Sequence, residues 1–288
     1  MITGLDHLVL VCPDIAAGRA AYEAVLGRMP AWQSEDHESG TASCLFRVSN
    51  TSLELVAPAG QGPVGDRLRQ MIDTDGPGLA SLVFATTDLD EMHRLCTRRG
   101  LAPQDISEGQ SRDLATGAQR QWRRFRCDDA RTGGLRTFIM QHDAGPLPAA
   151  ESPPDGASAL DHVVIQTRDA ERAAALYGAR LALRFALDRI AEQWNTRFLF
   201  FRTGGLTVEV VQRLDEPRAP EAGDRLWGLT WASDDLPAAR QRLSGLGLEV
   251  SEIRKGRKPG SEVFTLRDGT LGVPTLFISH EGDQDGMP

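Results

Sequence analysis

Two histidines and two glutamates in this chain of 288 residues match each other in type and spacing. His7 and His162 each sit inside a short apolar run, LDHLVL and LDHVVI, and Glu54 and Glu209 sit inside SLELVA and TVEVVQ. His7 to Glu54 and His162 to Glu209 both span 47 positions (54 minus 7, and 209 minus 162). A carboxylate on an apolar strand is costly to bury unless it is paired or metal-bound. Histidine and glutamate are both potential metal ligands.

The elements that must carry these residues repeat with them. At the same offset of 155 (162 minus 7), Tyr22 falls on Tyr177, Leu26 on Leu181 and Arg47 on Arg202, so the register holds without a gap. In the first copy the strand around His7 is followed by Pro13 and Asp14, a helix-start signal. Helical spacing then runs from Ile15 to Leu26, where Gly27 stops it. Extended pieces Thr41 to Val48 and Ser52 to Val56 follow, and a Gly- and Pro-rich stretch leads to a helical piece over Asp66 to Ile72. A second unit of the same order has a strand at Leu79 to Thr86, a helix at Asp88 to Arg99, and strands at Gln121 to Cys127 and Leu135 to Gln141. The fourth unit repeats the second, with Asp88 on Asp235 and Gly100 on Gly247 at an offset of 147 (235 minus 88). Four βαβββ modules follow, at residues 4–57, 78–142, 160–212 and 226–280. They group into a first domain (1–143), a Pro-rich linker (144–158, with Pro146, Pro148, Pro153 and Pro154), a second domain (159–281) and a polar tail (282–288).

Composition narrows the function. A net charge of −8 disfavours a broad nucleic-acid surface, which needs excess Lys and Arg on one face. The N-terminus has no basic region before a long apolar run, and no apolar run approaches the roughly 18 residues of a membrane span. The four cysteines form no CxxC pair, which leaves thiolate zinc and disulfide frameworks unsupported. The expected partner is a small molecule rather than nucleic acid or membrane. The expected setting is a cytoplasmic monomer or homodimer with reduced thiols.

With these motifs in place, LDHLVL…LGR…SLELV, GLASLVFATTDLDEM, LDHVVIQTRD…TVEVV and DRLWGLTWASDDL, the chain resembles the vicinal oxygen chelate superfamily. That superfamily includes glyoxalase I, methylmalonyl-CoA epimerase, extradiol dioxygenases, and fosfomycin and bleomycin resistance proteins. The resemblance implies an α+β fold of two tandem glyoxalase-like domains, in which curved mixed sheets form cups. It also implies a divalent first-row metal held from the first and last strands of facing modules. Carried over by position, the ligands are His7, Glu54, His162 and Glu209. The corresponding positions of modules two and four hold Ser81 and Phe138, and Gly228 and Leu276, none of them a good ligand. Two pairings are open. If consecutive modules face each other, each cup holds one His and one Glu, which are few for a tightly held ion; if modules one and three do, the four residues unite at one ion, and that set suits Mn, Fe, Co, Ni or Zn with positions left open for substrate oxygens. The implied activity is metal-assisted stabilisation of an enolate or oxyanion in an isomerase, epimerase or lyase, and the resemblance to glyoxalase-like isomerases implies that Glu54 or Glu209 leaves the ion to serve as general base. The alternatives are a metal-free small-molecule binding or resistance protein, and an extradiol-type dioxygenase.

Other residues are candidates to line a cup. RQWRRFR at Arg120 to Arg126 alternates as a strand, with Trp122, Arg124 and Arg126 on one face, and a guanidinium such as Arg124 suits an anionic substrate group. His37, in the polar SEDHES segment, and Trp227 are further substrate contacts, the latter with Trp194 and Trp231 as a second-cup wall. Tyr22 and Tyr177, on the apolar faces of equivalent helices, read as packing. His142 and His280 match each other just after the last strands of modules two and four and read as strand-end caps.

Overall fold

The computed structural model describes residues 1–145, 147–150, 153–219 and 221–280. Pro146 of the linker and the tail at 282–288 therefore lie outside the described residues.

Each module helix opens on an aspartate whose side chain accepts the backbone N–H three positions on, which satisfies a helix donor that has no partner inside the helix. These caps are Asp14 for α1 (Ile15–Leu26), Asp88 for α3 (Leu89–Arg98), Asp169 for α4 (Ala170–Ala174) and Asp235 for α5 (Leu236–Gly245). The helix α2 (Pro63–Asp75) links the first two modules and is longer than the sequence predicts. Gly27 ends α1 in the left-handed region at φ 68°. The third module departs from this plan. Its α4 passes into a wider π-type turn, Ala175–Arg180, and Ala182, the residue matching Gly27, sits at φ 58°.

Eight strands form the first sheet: β1 (Ile2–Val11), β2 (Trp32–Asp36), β3 (Thr41–Arg47), β4 (Ser52–Pro58), β5 (Gly78–Thr86), β6 (Ser107–Arg112), β7 (Gln119–Arg126) and β8 (Arg136–Ala144). Their order is β2-β3-β4-β1-β5-β8-β7-β6. Strands β1 and β4 run parallel, and β1 and β5 pair antiparallel to join the two modules. Leu8, Leu10, Leu53 and Leu55, all fully buried, face the helices; the alternate residues His7, Val9, Ser52 and Glu54 face the hollow. The two ends of the sheet curl together. Leu114 donates to the Gln33 carbonyl at 2.8 Å, and Gln33 donates to Asp113 at 2.9 Å, so β2 and the β6–β7 turn close the first cup.

The second sheet repeats the order with β9 (Ala159–Gln166), β10 (Arg184–Ala191), β11 (Thr196–Thr203), β12 (Leu206–Arg213), β13 (Arg225–Ala232), β14 (Arg254–Lys255), β15 (Ser261–Leu266) and β16 (Thr275–His280). It is the more open cup. β14 has two residues, and β10 is exposed from Arg184 to Ile190.

A continuous apolar core joins the two sheets, running from Leu5 and Tyr22 through Tyr177 to Phe277. Polar contacts cross the seam as well. The Asn50 amide donates to the Leu160 carbonyl at 2.9 Å and accepts from the Leu160 N–H at 3.0 Å, standing in for a strand neighbour. Arg242 donates to the carbonyls of Ala24, Val25 and Asp155, and Tyr22 Oη donates to the Thr270 carbonyl at 3.2 Å. Tyr22 and Tyr177 are fully buried.

Candidate functional site

The topology decides the open question of pairing. His7 and Glu54 share the first sheet, and His162 and Glu209 share the second. Consecutive modules thus face each other, and the union of all four residues at one ion is not formed.

In the first cup His7 is held at both ring nitrogens. Nδ1 donates to Asp6 Oδ1 at 2.6 Å, and Nε2 lies 3.3 Å from Glu54 Oε2. The other oxygen of Asp6 accepts from His142 Nε2 at 2.7 Å. The result is a chain of four groups, Glu54, His7, Asp6 and His142, that runs from the hollow through β1 to β8. Its far end opens on a cavity of about 450 Å³ lined by Asp6, Arg47, Asn50, Thr51 and His142. The second cup repeats the chain. His162 Nδ1 lies 2.6 Å from Asp161, His162 Nε2 lies 3.4 Å from Glu209, and His280 Nε2 donates to Asp161 at 2.7 Å.

The charge states follow from these contacts. Burial alone would lower the pKa of His7, but the hydrogen bonds to Asp6 and Glu54 push it up to about 9, so it is an imidazolium at neutral pH. Burial opposes ionisation of Asp6 too, yet the two imidazoles hold it well below the usual carboxylate range. The same holds for Asp161.

The two glutamates then diverge. Burial works against the charge of Glu54, but the bond from His7 and the nearby guanidiniums of Arg124 and Arg120 bring its pKa below the ordinary value. Glu209 moves the other way: burial raises it, and the charges of His162 and Arg257 do not fully offset that. The cross-strand partner of the histidine also differs between the cups. Thr230 places Oγ1 2.9 Å from His162 Nε2, so the ring has a nearer acceptor than Glu209. In the first cup Val83 pairs with His7 across the β1–β5 ladder, where Thr230 pairs with His162 across β9–β13, and valine leaves Nε2 to Glu54.

These donors do not fit a tightly held ion. Each cup offers one imidazole and one carboxylate, whereas catalytic zinc sites use three protein ligands. Ser81 and Phe138 occupy the facing positions in the first cup, Gly228 and Leu276 in the second. Among the described residues no group of three or more His, Cys, Asp or Glu is arranged around a common point.

The remaining candidates separate. Trp122, Arg124 and Arg126 lie on the hollow face of β7, and Arg120 joins them there. The Arg124 guanidinium lies 5.3 Å from the centre of the Phe138 ring, over the position where module one carries its glutamate. Arg126 pairs with Asp129. His37 lies in the turn after β2 with its side chain 91% exposed, 3.9 Å from Glu35, and stays apart from the cluster. Trp227 is likewise exposed on β13, and Trp231 is wholly buried. In the second cup Arg257 stacks 4.0 Å above the Trp194 ring. Sequence reasoning passed over Asp6 and Asp161, although an aspartate precedes the histidine in both copies, and it read His142 and His280 as caps. All four cysteines are buried free thiols, and among the described residues no helix is long and apolar enough to cross a membrane.

A family model described as a glyoxalase-like domain matches residues 5–182. The chain belongs to that glyoxalase-like family. A second model, described as the glyoxalase/bleomycin resistance protein/dioxygenase superfamily, matches residues 161–264 of this glyoxalase-like chain. A search of curated protein sequences finds no match. Among solved structures, a variant of 4-hydroxymandelate synthase from Streptomyces coelicolor is similar at 14% identity and a TM-score of 0.72, covering 99% of this chain and 95% of that one. A Mn(II)-bound glyoxalase from Novosphingobium aromaticivorans is similar at 14% identity and a TM-score of 0.65, covering 96% of this chain and 82% of that one. At these identities the likeness carries the two-domain fold and not the reaction.

Proposed function

We propose that the glyoxalase-like chain is an enzyme that moves a proton on a small oxygenated organic substrate in its first cup, as an isomerase, epimerase or lyase. The observation that carries this reading is the buried chain Glu54–His7–Asp6–His142, in which an ionised carboxylate is held against an imidazolium. Glu54 takes the proton from the carbon beside a carbonyl, and the oxygen of the resulting enolate meets the positive charge of His7 and Arg124. A carboxylate held below its ordinary pKa is a weak base, and the positive charges already in place offset this by stabilising the enolate that forms. Returning the proton to the other face, or to the neighbouring atom, completes an epimerisation or isomerisation. Loss of a group beside the carbanion completes an elimination instead.

One imidazole and one carboxylate per cup are too few to hold an ion tightly, and the proton transfer rests on protein groups alone. A metal-free binding role is the second reading for the open second cup, where Arg257 stacks on Trp194 and Glu209 is biased toward its neutral form.

The test is solvent exchange. Wild-type protein in D2O, given a panel of 2-hydroxy ketones and acyl thioesters, is expected to wash deuterium into the carbon acid of at least one member, read by NMR. Glu54→Gln should slow this by about 10² or more, the usual worth of a positioned base, while a chelator leaves it unchanged. Exchange in Glu54→Gln at the wild-type rate would remove Glu54 as the base, and loss of exchange with chelator would restore the metal.

A further inference from the structure

The guanidiniums on the hollow face of β7 differ sharply in their partners. Arg126 is bonded to Asp129, and on the opposite face Arg123 reaches Asp90 and Asp143. Arg120 and Arg124 have no carboxylate within ion-pair distance among the described residues. For Arg124, partly exposed, that is unremarkable. For Arg120 it is costly: the residue is 4% exposed, and its Nε has no hydrogen-bond partner among the described residues.

The surroundings of Arg120 hold it rather than neutralise it. Its guanidinium carbon lies 5.3 Å from the centre of the Trp32 ring and 5.6 Å from that of Trp122, so two indoles flank it where the ends of the sheet meet. Trp122 in turn rests on Gly109 of the neighbouring strand, where even a Cβ would come within 2.4 Å of the indole nitrogen. The arrangement fixes the side chain by stacking and leaves its Nε–H without an acceptor among the described residues. Charge points the same way. In this cup the imidazolium of His7 with Arg120 and Arg124 outnumber the carboxylates of Asp6 and Glu54, which leaves room for one more negative charge.

We propose that Arg120 and Arg124 form a carboxylate-binding subsite in the first cup, with Arg120 gripping an organic carboxylate between Trp32 and Trp122. This deepens the proton-transfer reading by naming the charge of the substrate: an acid anion whose reacting carbon extends from the Arg120 end of the hollow toward Glu54. A carboxylate completes the fork of a guanidinium with two parallel hydrogen bonds, the geometry that a buried arginine without a partner lacks. Arg124, stacked on Phe138, supplies the second positive charge nearer Glu54.

Benzoate is the probe, with benzamide as its neutral counterpart and inorganic phosphate as a competing anion. Binding is followed by the fluorescence of the tryptophans and by calorimetry. Benzoate is expected to bind and to perturb the tryptophan emission, and benzamide to bind at least about tenfold more weakly, as befits loss of a charge-assisted pair. Arg120→Met should lose benzoate to a similar degree, with Arg120→Lys recovering part of it. Should Arg120→Met fail to fold, Arg124→Gln, at a partly exposed position, carries the test and should weaken benzoate severalfold. Equal binding of benzoate and benzamide, or unchanged benzoate affinity in the folded variants, overturns the subsite; phosphate binding more tightly than benzoate overturns its assignment to carboxylates. The two readings fail separately, because benzoate affinity is measured at equilibrium without turnover, whereas Glu54 is tested by isotope exchange.

Discussion

At the scale of single residues, a hydroxyl divides the two cups. His162 has Thr230 as its near acceptor, and Glu209 is left with burial as its main influence; His7 faces Val83 and gives its second N–H to Glu54. Thr230→Val is nearly isosteric and removes that competitor. It should redirect His162 to Glu209 and bring the pKa of Glu209 down toward the behaviour of Glu54, as followed by carboxyl-carbon NMR titration of the labelled protein. A Glu209 titration that does not move would assign the difference between the cups to Arg120 and Arg124 instead. The His and Glu of each pair were legible in the sequence because type and spacing repeat. Arg120 was not, since a strand pattern tells which side it faces but not that no acid awaits it. Thr230 gave no signal at all, because its effect depends on a cross-strand partner that sequence order does not reveal.

Among the elements, the first turn of each module helix was readable from its aspartate cap, and the end of α1 from Gly27. The matching end in the third module breaks the pattern: Ala182 takes φ 58° where Gly27 takes φ 68°, after a widened turn. An L-residue in that region costs roughly 1–2 kcal/mol, partly offset by the greater freedom that glycine has when unfolded. Ala182→Gly is therefore expected to stabilise the protein by about 0.5–1 kcal/mol, read as a higher urea midpoint with an unchanged slope; a lower midpoint would show that the backbone there is held by packing that needs the methyl group. The inner strands were legible as apolar runs to within a few residues, but the outer strands β2, β6, β10 and β14 were not, because they are polar or exposed and carry no apolar run. The partner of each sheet was not, since both module pairings satisfy the same alternation, and only the β1–β5 and β9–β13 ladders decide between them.

For the molecule as a whole, the duplicated ion chain ties stability to pH. The pKa of His7 rises from an ordinary 6.5 to about 9 on folding, and that of His162 rises too, so both contributions are complete below pH 6.5; that of His7 is lost as pH climbs through about 9, and that of His162 as pH passes its own raised pKa. For His7 this amounts to about 3 kcal/mol. Asp6 and Asp161 are lowered, so their contribution is complete above an ordinary 3.8 and is lost as the solution is acidified. Thermal melts should thus peak between about pH 5 and 6.5 and decline toward pH 9. The double variant His7→Gln with His162→Gln should melt lower throughout but lose most of the alkaline decline; an undiminished decline would place its origin outside the cups. The seam between the sheets has a consequence of another kind. Asn50 clasps Leu160 as a neighbouring strand would, Arg242 and Tyr22 hold backbone carbonyls of the opposite half, and one apolar core runs through both. Recognition between the halves is written into their surfaces, so two separately produced polypeptides with these same faces are expected to reassociate into one molecule when mixed.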